Sequence, residues 1–143
     1  MQFKSKLLIV DDDATNRKIL RLRLQDRYEL REACSGEEAL EILKEFNPIL
    51  ILLDIMMDGI DGYEVTRSIR RTESLSSAKV ILVSGKALLE DRAEGYRSGA
   101  DDYITKPFHC EELKVKVGNF EKLGRLEVEV ADLNVAIKLL IAA

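Results

Sequence analysis

Reactive polar residues follow four short apolar runs of this chain. In chain order, these residues are Asp11-Asp12-Asp13, Asp54, Ser84 and Lys106. Carboxylates that lie close together repel one another and resist ionising together. A hard divalent cation such as Mg²⁺, which prefers oxygen ligands, relieves that repulsion. If the fold gathers these carboxylates, the hydroxyl and the ammonium in one place, the set is suited to holding a metal ion and a phosphoryl group.

The apolar runs lie between helical patterns, and runs of this length in that setting predict buried parallel strands. Strands are predicted over residues 6–10, 28–33, 49–53, 79–83 and 102–105. Helices are predicted over about 14–25 and 87–97, and from starting points at Ser35, near Asp61 and near His109. In the first helix, the residues expected to face the core are Ile19, Leu20 and Leu24.

The alternation of strand and helix predicts an α/β fold with one parallel sheet, right-handed crossovers and helices on both faces. The common order for five such strands is 2-1-3-4-5. That order places strands 1, 3, 4 and 5 side by side, and these are the four strands that reactive residues follow. Ligands of open α/β sheets bind beyond the carboxyl ends of the strands. We therefore expect the candidate residues to meet at one edge of the sheet.

Each candidate residue has a chemistry of its own. Asp54 is the candidate nucleophile, because a carboxylate can accept a phosphoryl group. Lys106 would supply a fixed positive charge to the phosphoryl oxygens. Ser84 either donates a hydrogen bond to another of those oxygens or serves as a turn residue. The candidate metal ligands are Asp11, Asp12 and Asp54. We expect Asp13 to point away from them and to cap the first helix.

The bulk composition indicates one globular domain: 143 residues, 46% hydrophobic and 34% charged, with a net charge of −4. The chain has no long basic block, so we expect it to make no contact with nucleic acid. Cys34 and Cys110 form no C-x-x-C motif, which is typical of reduced thiols in a cytosolic protein. The apolar run 7–10 is too short for a signal peptide or a membrane span. We therefore expect a cytoplasmic location and no membrane partner.

The motifs and their spacing resemble the receiver domain of two-component response regulators, the CheY-like superfamily. The motifs that carry the resemblance are Asp11-Asp12, Leu52-Leu53-Asp54-Ile55-Met56-Met57, Ser84, Tyr103, Lys106-Pro107-Phe108 and the stretches 59–64 and 98–103. The resemblance covers about residues 6–117. It implies a flavodoxin-like (βα)₅ fold with a doubly wound parallel sheet, and a signalling phosphoacceptor rather than a free-standing enzyme.

The resemblance also implies the roles of individual residues. A sensor histidine kinase or a histidine phosphotransfer protein would pass a phosphoryl group from a phosphohistidine to Asp54. The implied Mg²⁺ ligands are Asp12, Asp54, the backbone carbonyl of Met56 and, through a water molecule, Asp11. Ser84 would move toward the phosphoryl group, and Tyr103 would swing inward behind it. The face built from helix 4, strand 5 and helix 5 would then be remodelled.

Three positions would tune this chemistry. Asp58 stands where the family usually has proline, which would loosen the loop after Asp54, although we expect the Asp58 side chain to face solvent. Met56 and Lys86 lie two residues beyond Asp54 and Ser84, at positions that flank the path of the hydrolytic water in this family. We hypothesise that the bulk of Met56 and the charge of Lys86 slow the loss of the phosphoryl group.

The chain continues past the receiver, expected over residues 1–122, into a helical extension over 123–143. Apolar residues of the extension alternate spacings of three and four: Leu123, Leu126, Val130, Leu133, Ile137 and Leu140. This heptad pattern favours a parallel two-stranded coiled coil, so we expect a homodimer in which Lys122 of one chain faces Glu127 of the other. Two alternatives stay open: a longer helix 5 that packs on its own domain, or the start of a linker to an output domain.

Other classes of protein fit parts of the pattern. Residues 11–15 also match the D-x-D-x-T motif of haloacid-dehalogenase-type phosphohydrolases, in which Asp11 would be the nucleophile and Asp13 the general acid. That class needs another acidic pair at a strand end after the lysine, and it leaves Asp54 without a role. A flavin carrier of the same fold would need a phosphate loop where the three aspartates stand. A receiver used only as a dimerisation platform stays open as well.

Overall fold

A computed structural model describes residues 3–85 and 88–143 of the chain. Strands and helices alternate along it, as predicted. The strands are β1 (Ser5–Val10), β2 (Tyr28–Ala33), β3 (Leu50–Asp54), β4 (Lys79–Ser84) and β5 (Asp102–Thr105). The helices are α1 (Ala14–Leu24), α2 (Gly36–Ile42), α3 (Gly62–Arg71), α4 (Leu89–Ser98) and α5 (Cys110–Ala142). Residue 87, where the fourth helix was predicted to begin, lies outside the described residues.

The five strands form one parallel sheet in the order β2-β1-β3-β4-β5, which confirms the predicted order. All residues of β3 and β4 are buried, whereas the edge strand β2 is buried only at its two end residues. Helices cover both faces of a parallel sheet, so its central strands are buried on both sides and consist mostly of apolar residues. The order brings the carboxyl ends of β1, β3, β4 and β5 together at one edge.

Each face of the sheet packs against its own helices. Successive strand residues point to opposite faces, so Leu52 joins the core beneath α1 and α5, and Leu53 joins the core beneath α2 and α3. Burying one leucine side chain stabilises the folded state by about 1.5–3 kcal/mol. The two cores therefore hold the sheet edge in place. The buried residues of α4 are Gly95 and Ser98, so this helix adds no apolar side chain to either core.

Side-chain caps begin the first three helices. The caps and the backbone N–H groups that donate to them are Asp13 with Thr15, Ser35 with Glu38, and Asp61 with Glu64. The prediction that Ile19 faces the core was wrong, because its side chain is 42% exposed. α1 buries Leu20 and Leu24, one turn apart, and Ile19 lies about 100° around the helix from Leu20.

α5 is a continuous helix of 33 residues, so the predicted extension has no break from the rest of the chain. Leu113 and Val117 are fully buried against the sheet. Further along, Gly124 lies so near Ile49 that a Cβ atom on the glycine would approach Ile49 Cγ1 to 2.8 Å. The glycine therefore permits a close approach of the helix to the sheet.

The contact between α5 and the sheet ends at an ion pair between Lys79 of β4 and Glu127 of α5, with 2.8 Å between Nζ and Oε2. Glu127 thus has a partner within its own chain, which competes with the predicted pairing to Lys122 of a second chain. Residues 125–143 are exposed. Among the described residues, none of the helices has the length and apolarity needed to cross a bilayer.

Candidate functional site

The carboxylates of Asp11, Asp12 and Asp54 meet where β1 and β3 end. One oxygen atom from each residue lies within 4.8 Å of the other two. Asp11 and Asp54 are buried, and Asp12 is exposed. The two strands are neighbours in the sheet, with Val10 paired to Leu53, so the residues that follow them emerge side by side. The structure therefore brings the predicted metal ligands together.

Lys106 reaches these carboxylates from the end of β5. Its Nζ atom lies 3.0 Å from Asp11 Oδ2 and 3.6 Å from Asp54 Oδ2. The Lys106 backbone N–H donates to the Ser84 carbonyl oxygen at 2.7 Å, which ties the ends of β4 and β5 together. The Lys106–Pro107 peptide bond is cis. The ammonium thus faces both buried carboxylates.

Burial raises the pKa of Asp54 above its usual value. The Lys106 ammonium opposes this shift, whereas the charges of Asp11 and Asp12 add to it. The Met56 N–H, which donates to Asp54 Oδ1 at 3.3 Å, also lowers the pKa. Added positive charge beside these oxygens would favour the ionised form of Asp54. The site is therefore suited to binding a cation.

Hydrogen bonds fix Asp11 within the site and turn Asp13 away from it. The Asp13 N–H donates to Asp11 Oδ1 at 2.9 Å, and Arg17 donates to the Asp11 carbonyl oxygen at 2.7 Å. The Asp13 carboxylate accepts from the N–H groups of Thr15 and Asn16 instead. The predicted helix cap at Asp13 is confirmed.

The loop between β3 and α3 carries Met56 and Asp58, and both residues are exposed. Gly62 closes this loop. Its N–H donates to the Ile55 carbonyl oxygen at 3.0 Å, and a Cβ atom on Gly62 would approach the Asp54 carbonyl oxygen to 2.6 Å. Only a residue without a Cβ atom lets α3 begin so close to this backbone.

Ser84 and Tyr103 lie on the neighbouring strands. Ser84 follows Val83, which pairs with Asp54 in the sheet. Ser84 is fully buried, and Tyr103 is only 2% exposed, so the Tyr103 ring is in the inward position. Burial raises the pKa of Tyr103, while a hydrogen bond with Ser84 lowers it. Lys86, the remaining tuning position, lies outside the described residues.

Two contacts beside the site were not predicted. Glu37 Oε1 accepts a hydrogen bond from the Ile60 N–H at 2.9 Å, and Gly59, with a φ of +81°, brings the loop backbone against this carboxylate. The Tyr63 hydroxyl donates to the Asp91 carbonyl oxygen at 3.0 Å. Both contacts join side chains to backbone far away in sequence, so no local pattern indicates them.

The geometry supports one type of chemistry. Three carboxylates offer hard oxygen ligands of the kind that Mg²⁺ prefers. The Lys106 ammonium, 3.6 Å from Asp54, is positioned to attract the oxygens of an incoming phosphoryl group. A buried carboxylate between a cation site and an ammonium is suited to accepting that group.

Comparison with known proteins gives the family. The sequence profile of the response regulator receiver domain matches residues 7–118. The chain is 41% identical over 115 residues to the probable transcriptional regulator ycf27 of Porphyridium aerugineum and to the transcriptional regulatory protein ResD of Bacillus subtilis (strain 168). Each alignment covers 80% of this chain and 47% of the relative. The solved BeF3-activated DrrB receiver domain has a TM-score of 0.78 and 32% identity, over 84% of this chain and 99% of that one.

The chain therefore belongs to the response regulator receiver domain family, whose members bind Mg²⁺ at an acidic pocket. It spans about half the length of the curated relatives named here. The haloacid-dehalogenase alternative is not supported, because the fold and the matched residues are those of receivers. Asp13, its general acid, is also engaged as a helix cap.

Proposed function

We propose that this chain is the phosphoacceptor domain of a two-component signalling system, and that Asp54 receives the phosphoryl group. The observation that carries the proposal is the position of the Asp54 carboxylate, buried between two further carboxylates and the Lys106 ammonium. The proposed donor is a phosphohistidine on a sensor histidine kinase or a histidine phosphotransfer protein.

In the proposed transfer, an Asp54 carboxylate oxygen attacks the phosphorus atom of the phosphohistidine. A P–O bond forms as the P–N bond breaks, and the electron pair of the broken bond stays on the imidazole nitrogen, which takes up a proton from solvent. Lys106 holds positive charge beside the phosphoryl oxygens throughout. Asp54 must be ionised to attack, so the charge of Lys106, which lowers the Asp54 pKa, also prepares the nucleophile.

The proposed Mg²⁺ ligands are Asp12, Asp54 and the backbone carbonyl of Met56, with Asp11 acting through a water molecule. When bound, the ion would offset the repulsion between the carboxylates and the phosphoryl oxygens. The close approach of the three carboxylates supports this set. Asp11 already pairs with Lys106 at 3.0 Å, which suits the less direct role proposed for it.

Ser84 and Tyr103 form the proposed switch, which acts on the face built from α4, β5 and α5. Their burial beside the site and their mutual hydrogen bond support this role. We further propose that Met56, Asp58 and Lys86 set the lifetime of the aspartyl phosphate. For Met56, two residues after Asp54, the exposed side chain supports this role.

Intact-mass spectrometry after treatment with acetyl phosphate and Mg²⁺ tests the proposed function. The wild type should gain the mass of one phosphoryl group, Asp54→Asn should gain none, and EDTA should prevent the gain. Asp13→Asn is the matched control, because Asp13 follows Asp11 and Asp12 but its carboxylate caps α1, and this variant should be modified like the wild type. Modification that persists in Asp54→Asn would overturn the proposal.

We also propose that the extension joins two copies of this chain as a parallel coiled coil. Its seam residues are 44–77% exposed: Leu123, Leu126, Val130, Leu133, Ile137 and Leu140. At 3.6 residues per turn, this seam lies about half a turn from the face on which Val117 and Gly124 are buried. One face of α5 can therefore hold its own sheet while the opposite face meets a second copy.

The proposed division of the chain is a receiver domain over 1–122 and an extension over 123–143, whose first residues also contact the sheet. The relatives are named as transcriptional regulators and are about twice as long as the matched segment. We propose that DNA contact in such proteins lies outside that segment, and we assign no nucleic-acid or membrane contact to this chain. A cytoplasmic location is part of the proposal.

A further inference from the structure

Tyr63, in the first turn of α3, is a buried tyrosine to which the phosphoacceptor chemistry assigns no role. It is 7% exposed and lies in the same core as Tyr103. Its hydroxyl donates to the carbonyl oxygen of Asp91, in the first turn of α4, at 3.0 Å. Since α4 buries only Gly95 and Ser98, this hydrogen bond is one of the few contacts that tie its first turn to α3.

Tyr63 also reaches the switch. Its side chain lies beside Tyr103 in the same core, and Tyr103 in turn lies beside Ser84. Burial raises the pKa of Tyr63 to about 12, so this hydroxyl stays protonated and able to donate across the physiological range. Three hydroxyls therefore run from the phosphoryl-binding edge of the sheet to the backbone of α4.

α4 in turn encloses the Tyr103 ring. A Cβ atom on Gly95 would approach Tyr103 Cδ2 to 3.1 Å, and the Arg92 guanidinium lies 5.7 Å from the centre of the ring. The inward position of Tyr103 and the position of α4 thus depend on each other. A side chain that contacts both Tyr103 and α4 therefore stabilises the inward ring and the position of the helix together.

We propose that Tyr63 is a positioning residue of the switch, whose hydroxyl joins the inward Tyr103 to the first turn of α4. This inference rests on the proposed function. A ligand that requires the inward arrangement binds more tightly when that arrangement is favoured beforehand. The Tyr63 hydroxyl therefore increases the affinity of the Asp54 site for a phosphoryl group that it does not itself hold.

Beryllium fluoride, a mimic of the phosphoryl group, is the probe for this proposal, titrated calorimetrically in the presence of Mg²⁺. Tyr63→Phe keeps the ring and removes the hydroxyl, and we expect it to weaken binding about fivefold, as expected for the loss of one buried hydrogen bond. We also expect faster hydrogen exchange of the α4 amides. Tyr28→Phe is the matched control, because Tyr28 is 8% exposed and packs in the other core, and it should bind like the wild type.

A double-mutant cycle shows whether the effect passes through Tyr103. In a Tyr103→Phe background, Tyr63→Phe should change the affinity by less than twofold. The inference is overturned if Tyr63→Phe binds within twofold of the wild type, or if its fivefold loss persists in the Tyr103→Phe background. Failure of the wild type to bind the probe would instead overturn the proposed function, and this inference with it.

Discussion

Asp54 is a buried carboxylate whose ionisation the folded chain opposes. Because its pKa is raised by burial and by the charges of Asp11 and Asp12, this group makes the free energy of unfolding fall as the pH rises through that pKa. Asp54→Asn removes the cost of ionisation. In EDTA at neutral pH, we expect the variant to melt at a higher temperature than the wild type. The gain should shrink as the pH is lowered and the wild-type carboxyl becomes protonated.

Thermal unfolding followed by circular dichroism measures this difference. Asp13→Asn is the control, because asparagine caps a helix about as well as aspartate, so its melting temperature should match that of the wild type. If Asp54→Asn melts at or below the wild-type temperature in EDTA at neutral pH, the electrostatic description of the site is wrong.

Mg²⁺ should reverse the disadvantage of the wild type. A ligand that binds only the folded state at ten times its Kd stabilises that state by about 1.4 kcal/mol. We expect the melting temperature of the wild type to rise with Mg²⁺, and that of Asp12→Asn to rise much less at the same concentration. Asp26→Asn, at an exposed position just past the carboxyl end of α1, should respond like the wild type. An equal response from Asp12→Asn would remove Asp12 from the metal site.

The sequence allowed the convergence of Asp11, Asp54 and Lys106 to be predicted, because parallel strands deliver the residues that follow them to one edge of a sheet. It did not allow the contacts of Glu37 or Tyr63 to be predicted. Those contacts depend on how a helix lies against a distant loop or helix. The spacing of apolar and polar residues along the sequence does not indicate that placement.

At the scale of secondary structure, the start of α3 depends on a single glycine. A Cβ atom on Gly62 would press on the Asp54 carbonyl oxygen at 2.6 Å, and neither backbone can easily move. We expect Gly62→Ala to lower the free energy of unfolding by about 1–3 kcal/mol, the usual cost of overpacking. Urea denaturation measures this loss.

Gly118 provides the matched substitution. It lies within α5, and the nearest atom to a Cβ there is Tyr28 Oη at 3.8 Å. Alanine should therefore gain about 1 kcal/mol there through its higher helix propensity. If Gly62→Ala were as stable as Gly118→Ala, the loop after β3 would be looser than described.

The strands were predicted to within one residue at each end, because their apolar runs are bounded by polar residues. α4 was harder to predict, since a helix that buries only Gly95 and Ser98 has no apolar stripe. The placement of Ile19 was predicted wrongly for a related reason. Its apolar side chain continues the stripe of α1 in sequence, yet it lies exposed at the rim of that face.

At the scale of the whole molecule, the proposed dimer predicts a mass twice the 16.2 kDa of one chain. Multi-angle light scattering at micromolar concentration measures it. Leu133→Glu places a charge in the seam and should give a monomer, because a buried unpaired charge is costly in a coiled-coil core.

Val135→Glu is the control for the dimer. Val135 is 57% exposed and Leu133 is 61% exposed, but Val135 lies outside the seam, so its variant should stay dimeric. A wild type with the mass of a single chain, or a dimer that survives Leu133→Glu, would contradict the proposed coiled coil.

Reductive trapping tests the central claim most directly, because it locates the modified carboxyl. Borohydride converts an aspartyl phosphate to an alcohol, and peptide mass spectrometry then identifies the residue. After treatment with acetyl phosphate and Mg²⁺, we predict the alcohol at Asp54 and an unmodified 11–13 segment. An alcohol at Asp11 or Asp12, with Asp54 intact, would contradict the account.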